Sequence, residues 1–257
     1  MFPKLIDLCV ALSGPHVGVM LPFWWHSIQH VCGTEIQNFR IHFVDKGCSE
    51  PVKTWLQSVS SEKVVIHRLY ETFGESNQTD REPVPNIVSD CAGTCQWMLD
   101  QCGACEWCMI SHFDIAWRED LLNRFRILTK DNVGQIGSHN GGLVCYRRKA
   151  VRQCSVGFES FSGFSLARDS GRDQMVLRHY SDTRGGLSVP IHGFDVGELL
   201  ELNLAAKGWE IVSPWSHREL NTFRYHLGTG SGHCGDQVQK RKEAMDILAL
   251  RSLTPIE

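Results

Sequence analysis

No stretch of this 257-residue sequence approaches the roughly 20 consecutive apolar residues that a bilayer-crossing helix needs. The opening MFPKLIDLCVALSG is interrupted by Lys4 and Asp7 and lacks the basic-then-apolar order of a secretory signal, so neither a leader nor a transmembrane segment is expected. An excess of either charge is also missing. Against 29 Asp+Glu stand 26 Lys+Arg, a formal net charge of -3, which excludes strong unspecific attraction to nucleic acid or anionic membrane. Only local patches remain, and the run Lys240, Arg241, Lys242 and the pair Arg147, Arg148 are the candidates. Internal repeats and low-complexity tails are absent.

Cysteine is abundant, but its number, 11, is odd, and a chain of this size needs no covalent staples. Thiols set in apolar strands and one helix read as reduced, which points to the cytoplasm. With 42% hydrophobic and 21% charged residues, the chain suits one large domain or two intimately packed halves around a sizeable core.

Residues 5–12 form an apolar run suited to a buried strand, broken by Gly14 and Pro15. Residues 20–32 read as a helix with a heavy aromatic face, residues 39–45 as a second strand, and residues 63–69 as a third. Ser49 before Glu50 and Pro51 marks a helix start between the last two. Residues 71–86 read as an exposed loop, about 87–101 as a helix, EWCMISHFDIAW as a strand ending in polar residues, and 118–128 as a helix. Strands alternating with helices predict an α/β fold with a mostly parallel central sheet. Ligands of such sheets sit beyond the carboxyl ends of the strands, where Asp45 and Asp114 both fall. Further on, 140–148 reads as a strand, 155–188 as a mobile loop rich in Ser, Gly, Arg and Asp, and 194–212 as a helix and strand separated at Gly208.

A carboxylate at a strand end, followed by Gly and a Ser-started helix, suits hydrogen bonding to a base or ribose. The segment IHFVDKGCSEPVKTWL resembles the VDNGSTD-type segment of family-two GT-A glycosyltransferases, with Asp45, Gly47 and Ser49 in matching places. A strand ending in Asp-x-Gly is also common in α/β proteins at large. Family members carry Asp-x-Asp at the end of a later strand; here the sequence is His112-Phe113-Asp114, with imidazole in place of the first carboxylate. The resemblance makes Asp114 a metal ligand and leaves His112 as a nitrogen ligand, a ribose contact or a core histidine. Imidazole favours Mn2+ over Mg2+. A late histidine beside a Gly/Ser-rich loop completes the family's metal site, and His226 followed by Gly228, Thr229, Gly230, Ser231 and Gly232 matches that order. His233 is the alternative ligand.

The resemblance also implies an acidic pair facing the acceptor, placed here at Asp195 and Glu198 as catalytic candidates. The same spacing suits an N-cap with its capping box, and both readings stand. Asp169 and Asp173 are the other candidate bases. The resemblance covers roughly residues 5–232 and implies a single domain, with residues 1-130 as the nucleotide-sugar-binding half. Residues 131-257 would be the acceptor-binding half, with a C-terminal metal and diphosphate loop and helix. The implied reaction is metal-dependent transfer of a sugar from a nucleotide-diphosphate sugar, UDP-linked by expectation, to a hydroxyl acceptor. The acceptor is either a saccharide or lipid-linked glycan, or a hydroxylated base in DNA as in phage modification. A DNA acceptor would need a basic groove using Arg147, Arg148, Arg168 and Arg172.

Cys91, Cys95, Cys102, Cys105 and Cys108 fall close together, and Cys102-Gly-Ala-Cys105 has zinc-knuckle spacing. A second Cys-x-x-Cys is missing, so a structural zinc at Cys102 and Cys105 competes with plain core thiols. Two rival functions remain. A GT-A-like nucleotidyltransferase would also hold a metal at strand ends, but the first strand lacks the Gly-rich, Lys/Arg-bearing phosphate loop. A zinc-knuckle module binding nucleic acid conflicts with the net charge.

Overall fold

The computed structural model describes residues 5–14, 17–70, 82–83, 86–117, 125, 127–138, 142–154, 164–169, 174–179, 188–190, 197–212, 224–226 and 256. In chain order these form β1 (Ile6–Leu12), α1 (Val17–Cys32), β2 (Phe39–Asp45), α2 (Glu50–Val59), β3 (Val64–Arg68) and β4 (Glu82–Pro83). Next come α3 (Asn86–Gln101), β5 (Trp107–Ser111), β6 (Ile115–Trp117), β7 (Val133–Ser138) and β8 (Leu143–Arg147). The remaining elements are β9 (Phe164–Asp169), β10 (Gln174–His179), β11 (Ser188–Pro190), α4 (Glu198–Ala206), β12 (Glu210–Val212) and β13 (Arg224–His226). A one-turn helix, Arg148–Val151, follows β8 directly.

The apolar run at residues 6–12 becomes an inner strand of a seven-stranded sheet ordered β12-β7-β8-β5-β1-β2-β3. The β1–β2, β1–β5, β2–β3 and β7–β12 pairs are parallel, and β8 alone runs antiparallel to its neighbours β5 and β7. The expected α/β class with a mostly parallel sheet is what the chain adopts.

Both faces of that sheet are buried, which is why its strands read as continuous apolar runs rather than as alternation. Ile6, Leu8, Val10 and Leu12 pack with Phe39, Ile41, Phe43, Trp107 and Met109 against Leu21, Trp24 and Ile28 of α1 and Val52 and Leu56 of α2. On the other face Cys9, Val44, Ile110 and Tyr146 pack under Ala92, Cys95, Met98 and Leu99 of α3 and Leu200 and Leu204 of α4. The result is a helix–sheet–helix sandwich. On the first side Trp24 and Trp25 stack on each other, and both meet Phe43, and Trp25 meets Trp55, edge to face or tilted, explaining the aromatic face seen in the sequence. No helix among the described residues is long and apolar enough to cross a membrane.

Three expectations need correction, and one strand was missed. Residues 164–169 and 174–179, expected as part of a mobile loop over 155–188, are strands that join β4 and β11, which begins at the loop's last residue, in a second sheet ordered β11-β10-β9-β4. Polar composition hid the β-pairing there. The strand β7 went unrecognised because Gly134 and Gly137 interrupt its pattern; Gly134 is small because Trp209 packs where its side chain would lie. The N-cap of α4 is Gly197, with φ 93° and no side-chain cap, so the capping reading, which needed Asp195 as N-cap, does not hold.

Arg147 and Arg148, expected on a basic surface, are buried. Arg147 lies 4.7 Å over the Trp107 ring and donates to the carbonyls of Asp131 (2.6 Å) and Lys130 (2.8 Å). Arg148 pairs with Asp7. The run Lys240, Arg241, Lys242 lies outside the described residues.

Candidate active site

Because β1, β2 and β5 are parallel, Asp45 at the end of β2 and Asp114 just beyond β5 occupy the same edge of the sheet, two strands apart. With strands spaced ~4.8 Å, they frame a crevice on the order of 10 Å wide.

Asp45 is buried, and its Oδ1 accepts the N–H groups of Gly47 (3.0 Å) and Cys48 (2.7 Å). The carboxylate thus holds the turn into α2, with Gly47 at φ 91°, a conformation that a side chain would strain. Ser49 occupies the N-cap with extended backbone, yet its hydroxyl makes no cap hydrogen bond. Asp45 has a structural task that the sequence did not reveal, and one oxygen is committed to it.

The second segment is anchored from α1. Trp24 Nε1 donates to Ser111 Oγ (2.9 Å), which in turn donates to the carbonyl of His112 (3.0 Å). Ser27 Oγ accepts the N–H of Trp117 (2.9 Å), fixing β6 on the same helix. Between these anchors the chain turns through His112 and Asp114. Asp114 is buried, His112 keeps 35% of its side chain exposed, and His112 Nδ1 lies 3.9 Å from Asp114 Oδ1. Two ligands bonded to one ion at about 2.1 Å stand roughly 3.0–4.2 Å apart, cis to trans, so this spacing fits a shared divalent cation. A carboxylate with imidazole admits Mn2+ among other divalent transition metals.

The late histidine joins them. Strand β13 pairs antiparallel with β6, with His226 opposite Ile115, the residue after Asp114. A strand from more than 100 positions further along the chain is thereby brought alongside the segment that follows Asp114, though for His226 only the backbone is described. Glu198 is the first residue of α4; the helix runs back across the sheet before β12, so Glu198 lies toward the same carboxyl-end edge. Asp169 ends β9 in the second sheet. Asp173, Asp195, His233, Arg172 and the loop Gly228, Thr229, Gly230, Ser231, Gly232 lie outside the described residues, and Arg168 is described by its backbone.

The expected thiolate pair Cys102 and Cys105 is not brought together as a zinc knuckle. Cys105 turns to Asp7, its N–H donating to Oδ2 (2.8 Å) and its thiol to Oδ1 (3.2 Å). Between the two cysteines Gly103 (φ 75°) presses its backbone on the Asp7 carboxylate. Cys102 instead faces His42 and His67. A ring nitrogen of each histidine and the Cys102 sulfur lie within 4.8 Å of one another, the one group of potential metal ligands of this kind among the described residues. Hydrogen bonding from Cys9, joined against the cost of burial by the His67 ring, brings the Cys102 thiol down to about 6.

Burial pushes the Asp7 carboxyl up, but hydrogen bonds from His42 and Cys105 prevail and hold it below its ordinary range. Asp7, His42 and His67 were not singled out as site residues in the sequence, and Arg148 was read only as a surface cation. A carboxylate inside an otherwise apolar strand was the one available signal.

No family model matches the chain, and no curated protein matches it. Among solved structures it is similar to the mannosyltransferase PcManGT from Pyrobaculum calidifontis in complex with GDP-Man and Mn2+, at 11% identity and a TM-score of 0.48, over 99% of this chain and 66% of that one. It is similar to the galactosyltransferase LgtC in complex with donor and acceptor sugar analogs, at 12% identity and a TM-score of 0.40, over 57% of this chain and 59% of that one. For the catalytic domain of Drosophila beta1,4galactosyltransferase 7 in complex with xylobiose, identity is 9% and the TM-score 0.44, over 98% of this chain and 83% of that one. The chain spans less than two thirds of the length of the first two, at 66% and 59%. Likeness at this level leaves function to be read from the site itself.

Proposed function

We propose that the chain is a metal-dependent glycosyltransferase of the GT-A type, moving a sugar from a nucleotide-diphosphate sugar, UDP-linked, to a hydroxyl acceptor. The observation that supports this reading is the β6–β13 pairing, in which the His226 backbone lies opposite Ile115, the residue after Asp114. Three segments picked out separately for sugar-nucleotide chemistry, around Asp45, Asp114 and His226, thus belong to one edge or its extension.

In this reading Asp114, His226 and His112 hold Mn2+, which when bound neutralises the departing diphosphate. The turn Asp45, Gly47, Ser49 receives the base and ribose, with Asp45 fixing the backbone that makes the contact. Asp195, or Glu198 at the start of α4, takes the proton of the acceptor hydroxyl. The acceptor oxygen forms its bond to the anomeric carbon as the bond from that carbon to the phosphate oxygen breaks. Residues 1-130 form the donor half and 131-257 the acceptor half.

A saccharide or lipid-linked glycan is preferred as acceptor over a hydroxylated base in DNA. Burial of Arg147 and Arg148 removes two of the four basic side chains that a DNA groove would use. The ten described cysteines are all free thiols, which supports a reducing compartment such as the cytoplasm.

The test is a panel of nucleotide sugars scanned by thermal shift with Mn2+ and with EDTA. A ligand at about 100 times its Kd stabilises by roughly 2.7 kcal/mol, an easily read shift. The expected result is stabilisation by one nucleotide sugar that disappears with EDTA. No shift with any nucleotide sugar in either condition overturns the proposal.

A further inference from the structure

We propose that His42, His67 and Cys102 form a metal site of their own, taking a borderline-soft cation of the zinc type and distinct from the Asp114 site. His42 and His67 share a sheet face because β2 and β3 pair in parallel, with His42 opposite Val65 and His67 opposite Val44. Cys102, just past the end of α3, closes over them. Residues from two strands and one helix end therefore converge, and an ion held by all three would clamp α3 to β2 and to the edge strand β3.

The strongest support is the shell behind the ligands. His42 Nε2 donates to Asp7 Oδ1 (3.2 Å), and an ionised carboxylate only accepts, so the proton of His42 sits on Nε2. The lone pair on Nδ1 is then aimed into the cluster, where it now meets His67 Nε2 at 3.0 Å. A carboxylate–histidine pair that fixes the tautomer and turns the other nitrogen inward is the usual arrangement behind metal-bound histidine. Asp7 is itself fixed, by Arg148 Nη2 (3.2 Å) and the Cys105 N–H (2.8 Å). Two zinc–nitrogen bonds of about 2.0–2.1 Å at a tetrahedral angle put the nitrogens roughly 3.3 Å apart, a few tenths beyond the spacing present. One thiolate and two imidazoles reject Mg2+ and Ca2+ and select zinc-like ions. His67 is half-buried, which gives an ion its way in, and the Trp97 ring packs edge-on against it.

Cobalt is the probe, because a cobalt–thiolate bond gives an intense near-ultraviolet charge-transfer band that oxygen ligands do not. The full chain, chelated and desalted, is titrated with Co2+. The expected result is one equivalent bound with that band, displaced by Zn2+. Cys102→Ser abolishes the band, His67→Gln lowers cobalt affinity at least tenfold, and Cys105→Ser leaves the band in place. His67 stands on the edge strand, so its variant stays interpretable if Cys102→Ser fails to fold. Asp114→Asn keeps the band whatever becomes of sugar transfer, which separates this site from the proposed active site. A folded wild-type chain that gives no band, a band that survives His67→Gln at unchanged affinity, or one lost in Cys105→Ser overturns the proposal.

Discussion

Replacing Arg148 by Ala isolates the cost of leaving a carboxylate alone inside the sheet. Asp7 is fully buried, and Arg148 Nη2 stands 3.2 Å from its Oδ2. At that distance, with an effective dielectric of 20, the attraction is about 5 kcal/mol, much of it offset by the desolvation of both ions. Breaking such a pair from one side costs about 3–5 kcal/mol, because the remaining charge stays buried. Arg148→Ala also takes a donor from the carbonyl of Cys102. Two remaining donors, His42 and Cys105, soften the loss, which places the expectation near 3 kcal/mol. For a chain of this size that corresponds to a melting point roughly 6–12 °C lower. Urea denaturation followed by circular dichroism reads it directly. The double variant Asp7→Asn, Arg148→Ala should lose less than the sum of its parts, since the orphaned charge is gone. A loss under about 1 kcal/mol for Arg148→Ala, or additivity within ~0.5 kcal/mol, would refute the account of this network.

Gly103→Ala sets a side chain against the Asp7 carboxylate at a backbone φ of 75°, so it should cost about 1–3 kcal/mol; an unchanged urea midpoint would show that the turn has room. Asp45→Ala leaves the N–H groups of Gly47 and Cys48 without their acceptor and should cost about 1–3 kcal/mol, whereas Asp45→Asn keeps an oxygen there and loses less. Calorimetric titration with a nucleoside diphosphate should find both variants weakened, and equal affinity would confine Asp45 to its turn. Asp195→Asn should lower kcat by roughly 10²–10⁴ at an unchanged melting point, because an amide cannot take a proton. Near-normal turnover there would transfer the role to Glu198.

The elements that carry the sheet were legible because they are buried on both faces: residues 39–45 and 63–69 became β2 and β3 almost as read. The second half resisted for a different reason. Strands β9 and β10 draw their stability from pairing with each other, and a segment rich in Ser, Gly and Arg carries no apolar run to announce them. Within the site, order along the chain pointed to Asp114 and His226, but only strand pairing could bring β13 against β6. Asp45 was read as a ligand contact, while its bonds to Gly47 and Cys48 depend on turn geometry that composition does not encode. The cysteine spacing suggested Cys102 with Cys105, yet the chain partners Cys102 with two histidines from separate strands. Local spacing cannot reveal a ligand set assembled by sheet register.

Turnover of the responsive nucleotide sugar by Asp114→Asn, measured with Mn2+ beside the wild-type chain at matched melting points, tests the glycosyltransferase reading most directly. Asp114 sits past the end of β5 rather than in the core clusters, so folding should survive the change. The expected result is Mn2+-dependent, EDTA-sensitive transfer in the wild type, reduced at least about a hundredfold in the variant. Transfer within a few-fold of wild type in Asp114→Asn, or full activity in excess EDTA, would contradict it.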